Sequence, residues 1–255
     1  MNRLEQAAPA GRDAVLLIHG FTGSTAAMKP WAEHFERQGF ATATPVLPGH
    51  ETRWQDMLSV PFGEWIAATE QAFDDLQARH ARVFVAGLSM GGALALHLAT
   101  RRNVAGVSLV NPGLIVDNRV APYTKWLRLA VRSVKPIAND IARPGADERA
   151  YPRTPVAAVA QLYALFAQVR ARLPLVDAPV QLFRSSVDHV VSDESVRALT
   201  AGLRPGILRE QVSLPDSRHV ATLDYDASLI FERSAQFFTE LVADGEGLVS
   251  DQRQD

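Results

Sequence analysis

One stretch constrains this chain more than any other. The strand-like run Arg82-Val83-Phe84-Val85-Ala86 enters Gly87-Leu88-Ser89-Met90-Gly91-Gly92 and leaves as the helix-forming run Ala93-Leu94-Ala95-Leu96-His97-Leu98-Ala99. Passing from strand to helix through G-x-S-x-G forces a sharp turn with one residue, Ser89, at its apex. The glycines answer a steric demand, because side chains at Gly87 and Gly91 would collide with neighbouring strand and helix backbone. Ser89 would then stand above a sheet edge at a helix N-terminus, where the dipole favours developing negative charge. The plainer alternative is a packing turn whose serine only caps the helix.

Such a turn needs a sheet, and the sequence supplies one. Short apolar runs occur at Ala14 to Ile18, Phe40 to Thr44, Arg82 to Ala86, Val104 to Val110, Val180 to Arg184 and Leu208 to Leu214. Near-continuous apolar content marks parallel strands covered on both faces. Helical patterns lie between them. In Pro61 to His80, Phe62, Trp65, Ile66, Phe73 and Leu76 share one stripe, and Pro61 suits the first turn. The alternation predicts an α/β fold, a mostly parallel central sheet with helices on both faces.

From about Asn111 to Val176 the rhythm breaks. Prolines punctuate the stretch, and two apolar helical segments stand out, Tyr123 to Val134 and Val156 to Val169. We read residues 112–175 as a small helical cap inserted into a core made of residues 1–111 and 176–242. Ordinary crossover helices are the alternative. The segment 243–255, with Gly245, Gly247 and a polar end, is expected to fray.

A serine hydroxyl is a poor nucleophile without a base and an acid to orient that base. Behind a turn of this kind they follow in the order Ser, then Asp or Glu, then His. Both stand after strands: Asp188 in Ser185-Ser186-Val187-Asp188-His189-Val190-Val191, and His219 in Pro215-Asp216-Ser217-Arg218-His219-Val220. The ends of parallel strands are where such groups gather. Asp188 would hold the tautomer of His219, which would take the proton of Ser89. Asp193 and Glu194 are rivals for the acid. His34, His80 and His97 fall in helical patterns, His19 and His50 in early loops, and His189 follows the acid too closely to keep the order. Two backbone N–H groups would receive the oxyanion, Phe21 in His19-Gly20-Phe21-Thr22-Gly23 and Met90 after the nucleophile. A plain strand-end turn is the bland reading of the first.

Composition narrows the partners. The 255 residues carry a formal net charge of -2 with no long basic run, which makes nucleic acid an improbable partner. With no cysteine, disulfides, thiolate catalysis and thiolate metal sites are excluded. The histidines lack metal-ligand spacing, so no metal or organic cofactor is expected. The N-terminal residues lack a signal-peptide core and no run reaches membrane-span length, so a cytoplasmic protein is the default.

Taken together, His19-Gly20-Phe21-Thr22-Gly23, Leu47-Pro48-Gly49-His50, the Gly87 to Gly92 turn, Asp188-His189-Val190-Val191 and His219-Val220-Ala221-Thr222-Leu223-Asp224 resemble bacterial carboxylesterases and monoacylglycerol lipases of the α/β-hydrolase fold. With the cap stretch Ala150-Tyr151-Pro152-Arg153-Thr154-Pro155, the chain looks most like the monoacylglycerol lipases, whose small cap shields an apolar acyl tunnel. The resemblance implies Ser89, Asp188 and His219 as triad and the Phe21 and Met90 amides as oxyanion hole. It also implies Glu148 as an acceptor for glycerol hydroxyls, against the alternative of a solvated glutamate between Asp147 and Arg149. The cap's front half, Asp117 to Ile141, departs from the family. The implied activity is hydrolysis of a small ester or lipid, with transient contact with lipid surfaces or micelles left open. A broad carboxylesterase and a non-catalytic binding member of the fold are the alternatives.

Overall fold

The computed structural model describes residues 12–116, 131–136 and 139–251. Six strands build one sheet: β1 (Ala14–Ile18), β2 (Ala41–Ala43), β3 (Val83–Leu88), β4 (Val107–Val110), β7 (Val180–Ser185) and β8 (Leu208–Leu214). Their order is β2-β1-β3-β4-β7-β8, and every neighbouring pair is parallel. β1 lies between β2 and β3, with Ala14 opposite both Ala41 and Val83. Five consecutive apolar residues can form this inner strand because both faces are covered. Successive side chains alternate between them.

Val15 and Leu17 face a layer made by α1 (Lys29–Arg37) and α6 (Ala227–Asp251). There Phe84 and Phe238 stack with ring centroids 4.5 Å apart, and Trp31 Nε1 donates to Ser234 Oγ at 2.8 Å. Ala14, Leu16 and Ile18 face the opposite layer, with α2 (Phe62–Gln77), α3 (Met90–Ala99), α4 (Val156–Arg170) and α5 (Asp193–Gly202). Every residue of α3 is buried, which accounts for its being apolar all round. α4 contributes Leu162, Leu165 and Phe166 to the same core as Trp65 and Phe73 of α2.

All six expected strands form, two of them, β1 and β8, with the expected ends and the other four with changed ones. β3 runs on to Leu88, so the turn begins at Ser89 itself, and β4 starts only at Val107. Pro61 sits in extended backbone at the N-cap of α2 rather than in its first turn. Of the helix expected over Tyr123 to Val134, residues 123–130 lie outside the described residues. Its last two positions instead form a short strand, β5 (Ser133–Val134), pairing antiparallel with β6 (Thr154–Pro155). The residues expected to fray continue α6 as far as Asp251. Among the described residues no helix is long and apolar enough to cross a membrane.

A Cβ at Gly87 would run into the Gly91 carbonyl, and one at Gly91 into the Ile18 carbonyl. Because those obstacles are backbone, Gly91→Ala is expected to lose about 2–3 kcal/mol of stability by forcing α3 off β1. Urea denaturation of the purified variant measures this, and a wild-type midpoint would show that the turn tolerates a side chain.

Candidate active site

β3 delivers Ser89 in a strained conformation, φ 55° and ψ −116°, of the kind that costs of order 1–3 kcal/mol and needs support. Support comes from the Ser89 N–H on the Val110 carbonyl at 3.0 Å and from the Gly113 N–H on the Ser89 carbonyl at 3.1 Å. The side chain makes no capping bond to α3, so Ser89 is not there to close the helix. It stands instead where β3 ends and the first N–H groups of α3 begin.

The loop after β1 passes beside it. A Cβ on Gly20 would lie 3.4 Å from Ser89 Cβ. In that loop, the Leu47 N–H donates to His19 Nε2 at 3.3 Å, so Nδ1 carries the proton and donates to the Gly20 carbonyl at 2.9 Å. Burial keeps this ring neutral by pushing its pKa below the usual histidine value. The Gly20 carbonyl and the Phe21 N–H belong to one trans peptide, so fixing the first toward His19 fixes the second on the opposite side. Phe21 itself rests edge-on against Trp65, with centroids 6.1 Å apart.

Asp188 and His219 meet as the strand ends require. His219 Nδ1 lies 3.0 Å from Asp188 Oδ2, and the Asp188 side chain is 0% exposed. Oδ1 accepts the N–H groups of Val190 and Val191, each at 2.9 Å. Burial alone would push this carboxyl up. The hydrogen bond and charge of His219, with those two amides, outweigh it and hold the group below the ordinary carboxylate value. The rival acids stay apart from His219: Asp193 and Glu194 pair with Arg184 and Arg197.

Four residues that hold this pair in place were missed by sequence reasoning. Asn111, buried at the end of β4, donates through Nδ2 to Ser185 Oγ at 2.8 Å and to the His219 carbonyl at 2.9 Å, and its Oδ1 accepts the Ser185 N–H at 2.9 Å. It thereby fastens β4, β7 and the loop carrying His219 together. Asp140 Oδ2 accepts the N–H groups of His189 at 3.0 Å and His219 at 3.3 Å. Asp224 collects the amides of Ala142, Arg143, Arg218 and Tyr225. Arg184 donates to Asp188 Oδ2 at 2.6 Å. Only Asn111 gave a signal that could have been read, an amide side chain directly after a buried strand and before Pro112-Gly113. The other three act across sequence separations no local pattern reveals, or from within a strand.

Glu148 is not solvated. It is 6% exposed, its Oε1 accepts the Asn139 N–H at 2.6 Å, and Oε2 would lie 3.0 Å from a Cβ on Gly23. Ser24 Oγ donates to its carbonyl at 2.7 Å, joining it to the loop after β1. Burial pushes its carboxyl up. Of the other histidines, His189 is exposed and pairs with Asp140 at 2.8 Å. His50 lies buried edge-on to His19 at 4.8 Å, and His97 is buried on α3.

Comparison with known proteins gives a consistent set of relatives. Residues 9–226 match the Hydrolase_4 family, described as serine aminopeptidase S33. The chain is 38% identical over 231 residues to the thermostable monoacylglycerol lipase of Bacillus sp. (strain H-257), covering 90% of this chain and 92% of that one. It is 22% identical to the carboxylesterase of Bacillus subtilis (strain 168), covering 91% and 94%. A solved structure from the metagenome-derived lipolytic enzymes LipS and LipT superposes with a TM-score of 0.85 at 35% identity, over 91% of this chain and 96% of that one.

The buried histidines make stability depend on pH. Burial holds His19, His50 and His97 below the usual histidine value, His50 at about 3. The unfolded chain takes up these protons near pH ~6.5 while the folded chain does not, so stability falls as pH drops below that value. Asp188 acts in the same sense lower down. Its folded value is depressed, so its contribution is full above the unfolded carboxylate value and is lost as pH falls through the folded one. Denaturation midpoints are therefore expected to fall between about pH 7 and about pH 5, and His50→Gln should flatten the slope by up to ~1.4 kcal/mol per pH unit. An unchanged slope in that variant would mean that His50 titrates alike in both states.

Proposed function

As the chain belongs to the Hydrolase_4 family of α/β-hydrolases and is a carboxylic ester hydrolase, we propose that Ser89, His219 and Asp188 are its nucleophile, base and acid, and that its substrate is a monoacylglycerol. The observations that carry the site assignment are the 3.0 Å contact of His219 Nδ1 with the buried Asp188 carboxylate and the strained Ser89 that leaves its helix uncapped.

In this reading the Ser89 hydroxyl attacks the ester carbonyl while His219 Nε2 accepts its proton. Asp188 holds the ring through Nδ1 and stabilises the imidazolium that forms. The carbonyl oxygen, now an oxyanion, is received by the Phe21 and Met90 N–H groups, with the first turn of α3 adding its dipole. The imidazolium then gives its proton to the departing glycerol oxygen, leaving the acyl group on Ser89. Water, deprotonated by the same nitrogen, attacks the acyl carbon and releases the fatty acid with Ser89 restored.

Of residues 112–175, the segment from Asn139 to Tyr151 serves in this reading as the cap over the site, while α4 packs in the core with α2 and α3. Support for the glycerol end comes from Glu148, a buried carboxylate in the cap that reaches the loop bearing Phe21. One of its oxygens is already held by the Asn139 N–H, leaving Oε2 for a substrate hydroxyl. That partial engagement favours, as second reading, a carboxylesterase that accepts simple esters equally well.

Initial rates over monoacylglycerols of several acyl lengths, a di- and a triacylglycerol and matched p-nitrophenyl esters separate the two. Monoacylglycerols are expected to lead in kcat/KM, and Ser89→Ala should lose about 10⁴–10⁶-fold in kcat. Glu148→Gln keeps the acceptor for Asn139 and removes the charge, so the preference for monoacylglycerols over p-nitrophenyl esters should fall about tenfold. Equal rates on all simple esters, or an unaltered preference in the glutamine variant, would turn the assignment to the carboxylesterase.

A further inference from the structure

The carboxylate of the proposed triad has a second partner that ester hydrolysis does not require. Arg184, at the end of β7, donates through Nη1 to Asp188 Oδ2 at 2.6 Å, and that is the oxygen His219 Nδ1 meets at 3.0 Å. A guanidinium and an imidazole therefore share one oxygen of one carboxylate, while Oδ1 is filled by the Val190 and Val191 amides. The guanidinium is held in that place. Nη2 donates to the Val191 carbonyl at 2.8 Å and to Asp193 Oδ1 at 3.0 Å, and Nε reaches the same Asp193 oxygen at 3.2 Å. The Arg184 side chain is 12% exposed, so water screens this contact less than it would a surface pair.

Arginine stays charged throughout the working range of an esterase. In the triad, the negative charge of Asp188 favours the positive ring that His219 becomes on taking the serine proton. A permanent cation on the same oxygen cancels part of that help. It also holds the carboxylate with its Oδ2 aimed at the ring.

We propose that Arg184 is a positioning residue that acts through Asp188, fixing the carboxylate and extending activity to lower pH by opposing a resting positive charge on the base. This rests on the reading of Ser89, Asp188 and His219 as the triad. The other charged groups around the base set the balance. Asp140, on the cap side, bonds the His219 N–H at 3.3 Å and is itself paired with the His189 ring at 2.8 Å. Glu148, in the cap, lies within electrostatic reach of His219. Asp193, on α5, is 73% exposed. On the base loop, Asp224 binds the Arg218 N–H at 2.9 Å, while the Arg218 residue is exposed. The carboxylates Asp140, Glu148, Asp193 and Asp224 favour a positive ring. Among the described residues, Arg184 is the arginine bonded to the acid that opposes it.

The test is the pH dependence of kcat/KM on a soluble p-nitrophenyl ester, from about pH 5 to about pH 9 at low ionic strength. It compares wild type with Arg184→Gln, Arg184→Lys and Asp193→Asn. Each protein is first titrated with a fluorophosphonate to count reactive Ser89 and melted to confirm folding. In Arg184→Gln the acid limb should move up by about one pH unit, the size expected when a full charge leaves a partly buried neighbour. Arg184→Lys, which keeps the charge, should restore most of that shift. Asp193→Asn removes the counter-charge and should move the limb the other way, by a few tenths of a unit.

A folded, fully labelled Arg184→Gln whose acid limb coincides with wild type overturns the proposal, and so does a lysine variant that shifts as far as the glutamine one. If Arg184→Gln does not fold, the neutral, similarly long Arg184→Met decides: an acid limb moved up relative to wild type supports the proposal, and one that coincides with wild type sinks it. Failure of the triad reading looks different, since Ser89→Ala would then keep its activity whatever the Arg184 variants do.

Discussion

The first turn of α3 runs so close to the end of β1 that a methyl group on Gly91 would take the place of the Ile18 carbonyl, and one on Gly87 that of the Gly91 carbonyl. Everything around Ser89 follows from this approach. Driving the helix against the sheet buries all ten of its residues, so the burial of α3 offsets the strain held in Ser89. It also brings the loop after β1 within van der Waals distance of Ser89, through Gly20. A looser contact would relax the serine and separate it from the amide that the neutral ring of His19 holds in orientation. Sheet, strained residue and the loop after β1 are thus one mechanical unit.

The parts of this unit that are local in sequence could be read from it. A run such as Val83 to Leu88 can be recognised as buried strand because its apolar residues are continuous, and the turn after it because glycine is placed where backbone must touch backbone. Asp188 and His219 were legible for a related reason, since each follows a strand and the two stand in the chain order that a G-x-S-x-G turn leads one to look for. What escaped was the scaffolding between loops. The Asn111 amide bonds groups 74 and 108 residues away, and Asp140 one 79 residues away. Such contacts leave no periodicity. Arg184 escaped for another reason: a single charge in a strand pattern reads as an edge residue, and its partner becomes visible only when the chain after β7 folds back. Glu148 shows the converse, where the resemblance pointed to a residue whose burial its sequence neighbours, Asp147 and Arg149, would not suggest.

The segment from Asn139 to Tyr151 ties the two sides of the site together. At its start, Asp140 and the Asp224-bound amides of Ala142 and Arg143 grip the loops carrying Asp188 and His219. At its end, Glu148 and Tyr151 grip the loop after β1, the Tyr151 N–H on the Thr22 carbonyl at 3.0 Å. The Tyr151 hydroxyl reaches further, donating to the Gly49 carbonyl at 2.8 Å and accepting the Thr52 N–H at 3.0 Å. This segment is therefore bonded at both ends, to the loops carrying Asp188 and His219 on one side and to the loop after β1 on the other, so displacing it would disturb both.

Among the described residues the sheet ends at two margins, and their make-up bears on how the protein behaves in a crowded solution. β2, at one margin, is only three residues long. β8, at the other, turns Arg209, Gln211 and Ser213 outward along its length and carries Glu210 between them. A strand from a second molecule, arriving to extend the sheet, would find too little backbone at the first margin. At the second it would have to strip water from charged and polar side chains. Both margins resist such addition, the route by which parallel sheets with long bare edges pass into aggregates.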